Sequence, residues 1–277
     1  MIKRLLMGAV SMFCVAVYAQ ADVLSKCKSR VSVHDRIDAC TRVVSGSGFE
    51  PMEKSAAYRI RGTLRMEAGA NEQAIQDFNN AIALNPKDDK AYSGRGTLRL
   101  AAGNQSAAIA DFDRAIALKP GLINYLVLRG HALLVAGKLD AAIEDFNQAI
   151  ARNPTNSVAL NNRGLAHRKK GDIEKAIIDY TAAIAASPLY SLAYNNRGYA
   201  FEAMAKRAEA VQDFRRALSI DPSLSGARIA LERLGAAGDL AAQATRLTKE
   251  GKTLAEKNCA WCHAIEMQGN SSNPDAP

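Results

Sequence analysis

The chain reads as an all-α helical solenoid, and three recurring features of its middle predict that architecture. An Arg-Gly pair returns every 34 residues, at Arg61-Gly62, Arg95-Gly96, Arg129-Gly130, Arg163-Gly164 and Arg197-Gly198. An acidic-aromatic pair follows each at constant distance: Asp77-Phe78, Asp111-Phe112, Asp145-Phe146, Asp179-Tyr180 and Asp213-Phe214. Each copy then closes on a proline, at Pro86, Pro120, Pro154, Pro188 and Pro222. Self-similarity at this period marks stacked copies of one supersecondary unit. Composition agrees, because 48% apolar residues with only 6% aromatics and abundant alanine suit close-packed helices better than a β-sandwich.

The physics of one copy explains its pattern. Two helical stretches flank a turn at Gly69, Gly103, Gly137 and Gly171, with Ala205 in the last copy; glycine there supplies the left-handed residue that ends a helix. Gly62 and its counterparts lie inside the first helix, where glycine costs about 1 kcal/mol relative to alanine. Their recurrence implies that a neighbouring helix presses close. Small residues at Ala74 and Ala81 fit that reading, and Phe78 and its equivalents fill the wedge between helices. Proline ends the second helix because it lacks an N–H and disfavours a helical residue before it. The recurring Arg61/Asp77 type of pair reads as a structural ion-pair ladder. His34, His131 and His167 follow no metal-ligand spacing.

Glycine, alanine, aromatic, alanine and proline at these offsets resemble the tetratricopeptide repeat, over residues 55–224. The resemblance implies a right-handed solenoid of five full repeats (55–88, 89–122, 123–156, 157–190 and 191–224) plus capping helices. Two positions depart from the family pattern. Its early Trp position carries Tyr58, Tyr92, Leu126, Leu160 and Tyr194, and its later Tyr position carries Arg65, Arg99, Leu133, His167 and Phe201. Such arrays commonly hold peptides or partner proteins on a concave face lined by the first helices. Mapped onto this chain, that face presents Arg59, His131, Asn161, Arg168, Asn195 and Tyr199, although the asparagines equally suit solvation or capping. The Lys/Asn set with which some members clamp a terminal carboxylate is absent.

Both ends of the chain differ from the middle. Residues 1–21 combine basic Lys3-Arg4, an apolar run from Leu5 to Tyr18 and small residues at Ala19 and Ala21, the pattern of a cleaved secretory signal. The run is shorter than the ~20 residues a spanning helix needs. We therefore expect export, most simply to a periplasm, with no membrane span after cleavage. Residues 22–54 form a capping hairpin in which Arg36–Val44 match a second helix, Cys40 stands where Phe78 stands, and Ser45–Gly48 supply an extra loop. In an oxidising compartment Cys27 and Cys40 are expected to pair as a disulfide. After Pro222, residues 225–238 read as a C-terminal cap and hinge, with Ala227, Ala230, Leu231 and Leu234 on one helical face before Gly235.

Residues 239–277 carry the most chemical pattern. Cys259-Ala-Trp-Cys262-His263 has the spacing of c-type haem attachment. The preceding Gly251–Asn258 resembles the opening helix of a class I cytochrome c, so the segment is similar to a truncated cytochrome c-like helix. The resemblance implies Cys259 and Cys262 as haem thioethers and His263 as the proximal iron ligand. Met267 follows His263 by only four residues, at most about 14 Å of chain, too short to reach the opposite haem face readily. A redox or inert Cys259–Cys262 disulfide and a zinc site are the competing readings.

The expected function is an exported interaction scaffold joined to a c-type haem for single-electron transfer, with a protein or peptide ligand, a redox partner among the candidates. The alternatives are a binding module whose C-terminal cysteines form a disulfide, and an assembly chaperone for haem-attachment segments. No catalytic constellation stands out from the repeats. The net charge of +8 is spread rather than blocked, which does not suit a nucleic-acid surface.

Overall fold

The computed structural model describes residues 21–29 and 32–236. Residues 1–20 of the signal segment and all of 237–277, including Cys259, Cys262, His263 and Met267, lie outside the described residues. By its contacts the chain divides into two compact units, Met1–Ala182 and Ala183–Pro277. Among the described residues every regular element is helical.

In the first unit, a helical stretch at 21–28 pairs with α1 (Val33–Ser45). Three complete hairpins follow: α2 (Pro51–Glu67) with α3 (Asn71–Leu84), α4 (Asp89–Ala101) with α5 (Gln105–Leu118), and α6 (Ile123–Val135) with α7 (Leu139–Arg152). A fourth joins α8 (Ser157–Lys170) to α9 (Ile173–Ala186), and the division after Ala182 falls within α9. Second helices of one hairpin pack on first helices of the next, and first helices also touch directly, α2 on α4, α4 on α6 and α6 on α8. The second unit holds α10 (Ser191–Ala203) and α11 (Arg207–Ile220), covered by α12 (Ser225–Arg233).

Local sequence sets these boundaries. Side chains of Ser32, Asp88, Asn104 and Asn156 accept the backbone N–H three residues on, capping α1, α4, α5 and α8. Pro51 opens α2 behind a reciprocal Glu50/Glu53 capping box. Asn85, Asn153 and Asp221, each followed by proline, leave the helical region for extended backbone. All five intra-hairpin turns use a positive φ, and Ala205 does so without being glycine, at φ 58°. An L-residue there carries roughly 1 kcal/mol of strain. Ala205→Gly should therefore raise stability by about 0.5–1 kcal/mol in urea unfolding, and a neutral or negative change would contradict this.

The small-residue positions are packing requirements. A Cβ on Gly62 would come 3.0 Å from the Phe78 ring, and on Gly130 2.7 Å from Phe146. The same approach joins Gly96 to Phe112, Gly164 to Tyr180 and Gly198 to Phe214. These aromatic rings are fully or almost fully buried. In the N-terminal cap, Cys40 occupies the wedge that Phe78 fills elsewhere, and it is disulfide-bonded to Cys27. Both cysteines are completely buried with Ala39, Val43 and Ala57, under a cover of Val23, Leu24, Val44, Phe49 and Ile60.

Candidate functional site

A charged ladder runs through the hairpins. Arg61 on α2 donates from Nε and Nη2 to both carboxylate oxygens of Asp77 on α3, at 2.9 and 2.7 Å. Arg95–Asp111, Arg129–Asp145 and Arg163–Asp179 repeat this fork in the first unit, as Arg197–Asp213 does in the second. Each aspartate is buried, so a planar two-point donor is what its position needs. The third guanidinium nitrogen reaches back one hairpin: Arg95 to Asn79, Arg129 to Asp113 and Arg163 to Asn147, at 2.7–2.8 Å. Arg61 reaches Thr41 of the cap in the same manner, at 3.0 Å. Within the first unit the ladder thus joins hairpins to one another as well as helices within a hairpin.

A second arginine joins the first two rungs of the ladder. Arg65 donates to Asp77 at 2.7 Å and Arg99 to Asp111 at 2.8 Å. The third copy has Leu133 at this position and the fourth has His167, whose Nε2 lies 4.0 Å from Asp179 and whose Nδ1 lies 3.6 Å from Asp172. Arg61, Arg95 and Arg197 also lie over Tyr58, Tyr92 and Tyr194, a stabilising cation–π placement.

The first-helix face is less uniform than its sequence suggests. Arg59 is tied by its Nε to Asp88 at 3.0 Å, and Asp88 already caps α4. Tyr125 donates to Asp89 at 2.6 Å across adjacent hairpins; its pKa is raised by burial and then by Asp89. Asn161 is buried, with Nδ2 donating to Asn162. Tyr199 donates to the Gly226 carbonyl at 2.8 Å and packs edge-on against Phe214. Asn195 is half-buried near Gly226. His131 stands exposed, and Arg168 is half-buried beside Tyr180. The structure thus brings His131 and Arg168 onto neighbouring first helices, while Arg59 and Tyr199 serve as ties between elements.

Sequence reasoning missed three apolar side chains on or beside this face: Leu122, Val135 and Val158 are 45, 46 and 45% exposed. A signal existed in the register. Positions equivalent to Val158 carry Ala56, Lys90, Asn124 and Leu192, and those equivalent to Leu122 carry Asp88, Asn156, Tyr190 and Leu224.

Tyr180 is the one tyrosine in the aromatic wedge series. Its phenol is pushed up to about 12, chiefly by burial, with Arg168 pulling it down and Asp179 raising it. Unfolded tyrosine ionises near 10, so its contribution is complete below that pH and is lost as pH rises toward about 12. Tyr180→Phe should make the alkaline fall in melting temperature shallower. An unchanged alkaline limb would contradict that assignment.

Helical hairpins stacked at a fixed 34-residue period, with a side-chain-lined face, define a repeat scaffold. Tetratricopeptide repeat models match residues 61–123, 127–191 and 191–224, and the chain belongs to that family, whose arrays are non-catalytic scaffolds. No curated protein sequence matches it. Among solved structures it is similar to PilW, described as a widely conserved type IV pilus biogenesis factor. That match has 20% identity and TM-score 0.60 over 68% of this chain and 91% of PilW. It is similar to YrrB, described as having an unusual peptide-binding site, at 19% identity and TM-score 0.54 over 71% of this chain and 99% of YrrB. A fragment of MamA from Desulfovibrio magneticus RS-1 matches at 19% identity and TM-score 0.55, over 62% of this chain and 97% of that one. These likenesses establish the fold. Among the described residues, no helix is long and apolar enough to cross a membrane, and no group of His, Cys, Asp or Glu is placed to hold a metal ion.

Proposed function

We infer that this protein is an exported interaction scaffold which holds a protein or peptide segment against the first helices of its hairpins and carries a covalent c-type haem near its C-terminus. The observation that carries the scaffold reading is the ladder-locked array. It fixes the spacing of successive first helices, so their exposed side chains form a pre-organised surface. YrrB, with the same hairpin fold, is described as having a peptide-binding site. The Cys27–Cys40 disulfide supports export, because such bonds persist in oxidising compartments. The signal-like residues 1–21 point the same way.

The haem reading rests on Cys259, Cys262 and His263 as a sequence pattern, since these residues lie outside the described ones. When bound, the haem would supply one-electron transfer, and the array would recruit a redox partner to it. The disulfide at Cys27–Cys40 favours as second reading a scaffold without a cofactor, its C-terminal cysteines likewise joined as a disulfide. Intact mass and a pyridine haemochrome spectrum, measured on protein exported by a host competent in cytochrome c maturation, separate the two. A mass excess of one haem with a haemochrome band is expected. A colourless protein with the mass of its amino acids alone overturns the haem and leaves the scaffold. In either case, deleting residues 240–277 should leave partner binding intact.

A further inference from the structure

The first-helix face of the third and fourth hairpins differs chemically from the rest of the first unit. On α6, helical spacing puts Asn124, Leu128, His131 and Val135 on one side, and on α8 it puts Val158, Asn162, Leu165 and Lys169 there. The two helices touch directly. Neither α6 nor α8 contains a carboxylate. The last turn of α8 is instead a run of His167, Arg168, Lys169 and Lys170. Lys170 is engaged by Asp140 and Arg168 lies by Tyr180, whereas Lys169 is exposed with no ion pair among the described residues. A helix C-terminus accounts for about half a unit of negative charge, so this cationic run exceeds what the helix itself compensates.

Exposed apolar groups lie at both ends of this face. Leu122 and Val158 lie at the N-terminal ends of α6 and α8, while Val135 lies at the C-terminal end of α6, in the register that Lys169 holds on α8. His131 lies between the two ends. Along a helix of 13 residues this is a track of roughly 20 Å, the length of about six extended residues. In the first two hairpins the corresponding face is closed by the Arg59–Asp88 tie.

We propose that this track is a docking site for an acidic, apolar-containing segment of a partner protein, with aliphatic or aromatic side chains over Leu122, Val135 and Val158 and a carboxylate at Lys169. The proposal deepens the scaffold reading and rests on it. Charge complementarity selects the occupant. The protein's own residues 240–258 carry Arg246, Lys249, Lys252 and Lys257 against Glu250 and Glu256, so that stretch has the wrong sign, and a selected consensus matching residues 259–277, which carry Glu266 and Asp275, would overturn the partner and reassign the track to the tail. A second copy of this chain, at net +6 once Lys3 and Arg4 are removed with residues 1–21, is disfavoured for the same reason. A rim charge of this kind chiefly sets association rate and salt dependence, and the apolar contacts hold the complex.

The test is selection of a random dodecapeptide phage library on the full chain, followed by fluorescence anisotropy with the synthetic consensus peptide. The expected consensus combines Asp or Glu with Leu, Ile or Phe. Val135→Asp with Val158→Asp should weaken the peptide at least tenfold, and Lys169→Glu about threefold with a reduced salt dependence. All three positions are exposed, so helical circular dichroism and melting temperature should stay unchanged. A basic consensus, or binding insensitive to these changes but lost on substituting α2 or α10, overturns this site and leaves the scaffold standing. Recovery of no peptide overturns both. Sedimentation with phosphatidylglycerol vesicles that the Val135/Val158 variant abolishes also overturns the proposal and reassigns the track to lipid.

Discussion

Asp77→Ala is expected to destabilise the N-terminal part of the array by about 3–5 kcal/mol, the usual consequence of removing one partner from a buried ion pair. Asp77 is 1% exposed and takes three guanidinium donors, two from Arg61 and one from Arg65. Arg61, itself only 8% exposed, cannot swing into water without abandoning its bond to Thr41 and its place over Tyr58. Loss of the carboxylate therefore strands one buried cation and loosens the cap-to-repeat junction together. Arg65 is nearer the surface and relaxes more easily. Replacing Arg61 by Leu in the Asp77→Ala background should recover most of the loss, because an apolar side chain leaves no charge unpaired. Urea unfolding monitored by circular dichroism checks this. A loss below about 1 kcal/mol would show that the fork is ornamental.

Removing the disulfide is the second large effect. The Cys27–Cys40 bond closes a short loop at the end of the array, where such a cross-link contributes about 3 kcal/mol. In a stack whose units lean only on their neighbours, the terminal hairpin has one partner and frays first. Cys27→Ala with Cys40→Ala, and dithiothreitol treatment of the wild type, should both raise hydrogen exchange across 21–45 and lower the first melting transition. Because Cys40 stands in for an aromatic wedge, the alanine variant also leaves a cavity and should lose more than reduction alone. Exchange in α6 and α7 should be unaffected. Equal exchange at 21–45 in oxidised and reduced protein would contradict the role assigned to the bond.

Much of the array was legible because its period repeats three independent constraints at once. A glycine against an aromatic ring, an arginine sixteen residues before an aspartate, and a proline after the second helix admit one hairpin geometry. The cap was legible for a related reason: Cys40 and Thr41 align with Phe78 and Asn79, and Thr41 indeed accepts from Arg61 as Asn79 accepts from Arg95. The backward reach of each arginine was harder to see. Its acceptors, Thr41, Asn79, Asp113 and Asn147, share only an oxygen at the right height. The polar ties on the first-helix face were not legible. Whether Arg59 meets solvent or Asp88, and whether Tyr199 faces a ligand or the Gly226 carbonyl, depends on rotamers set by the neighbouring hairpin.

Hydrogen–deuterium exchange of the full chain, with and without a saturating selected peptide, probes the scaffold most directly. A ligand held by the first helices should slow exchange in α6 and α8 while leaving α7 and α9 as they were. Protection confined to the second helices, or to residues 237–277 alone, would mean that the array presents a different surface to its partner.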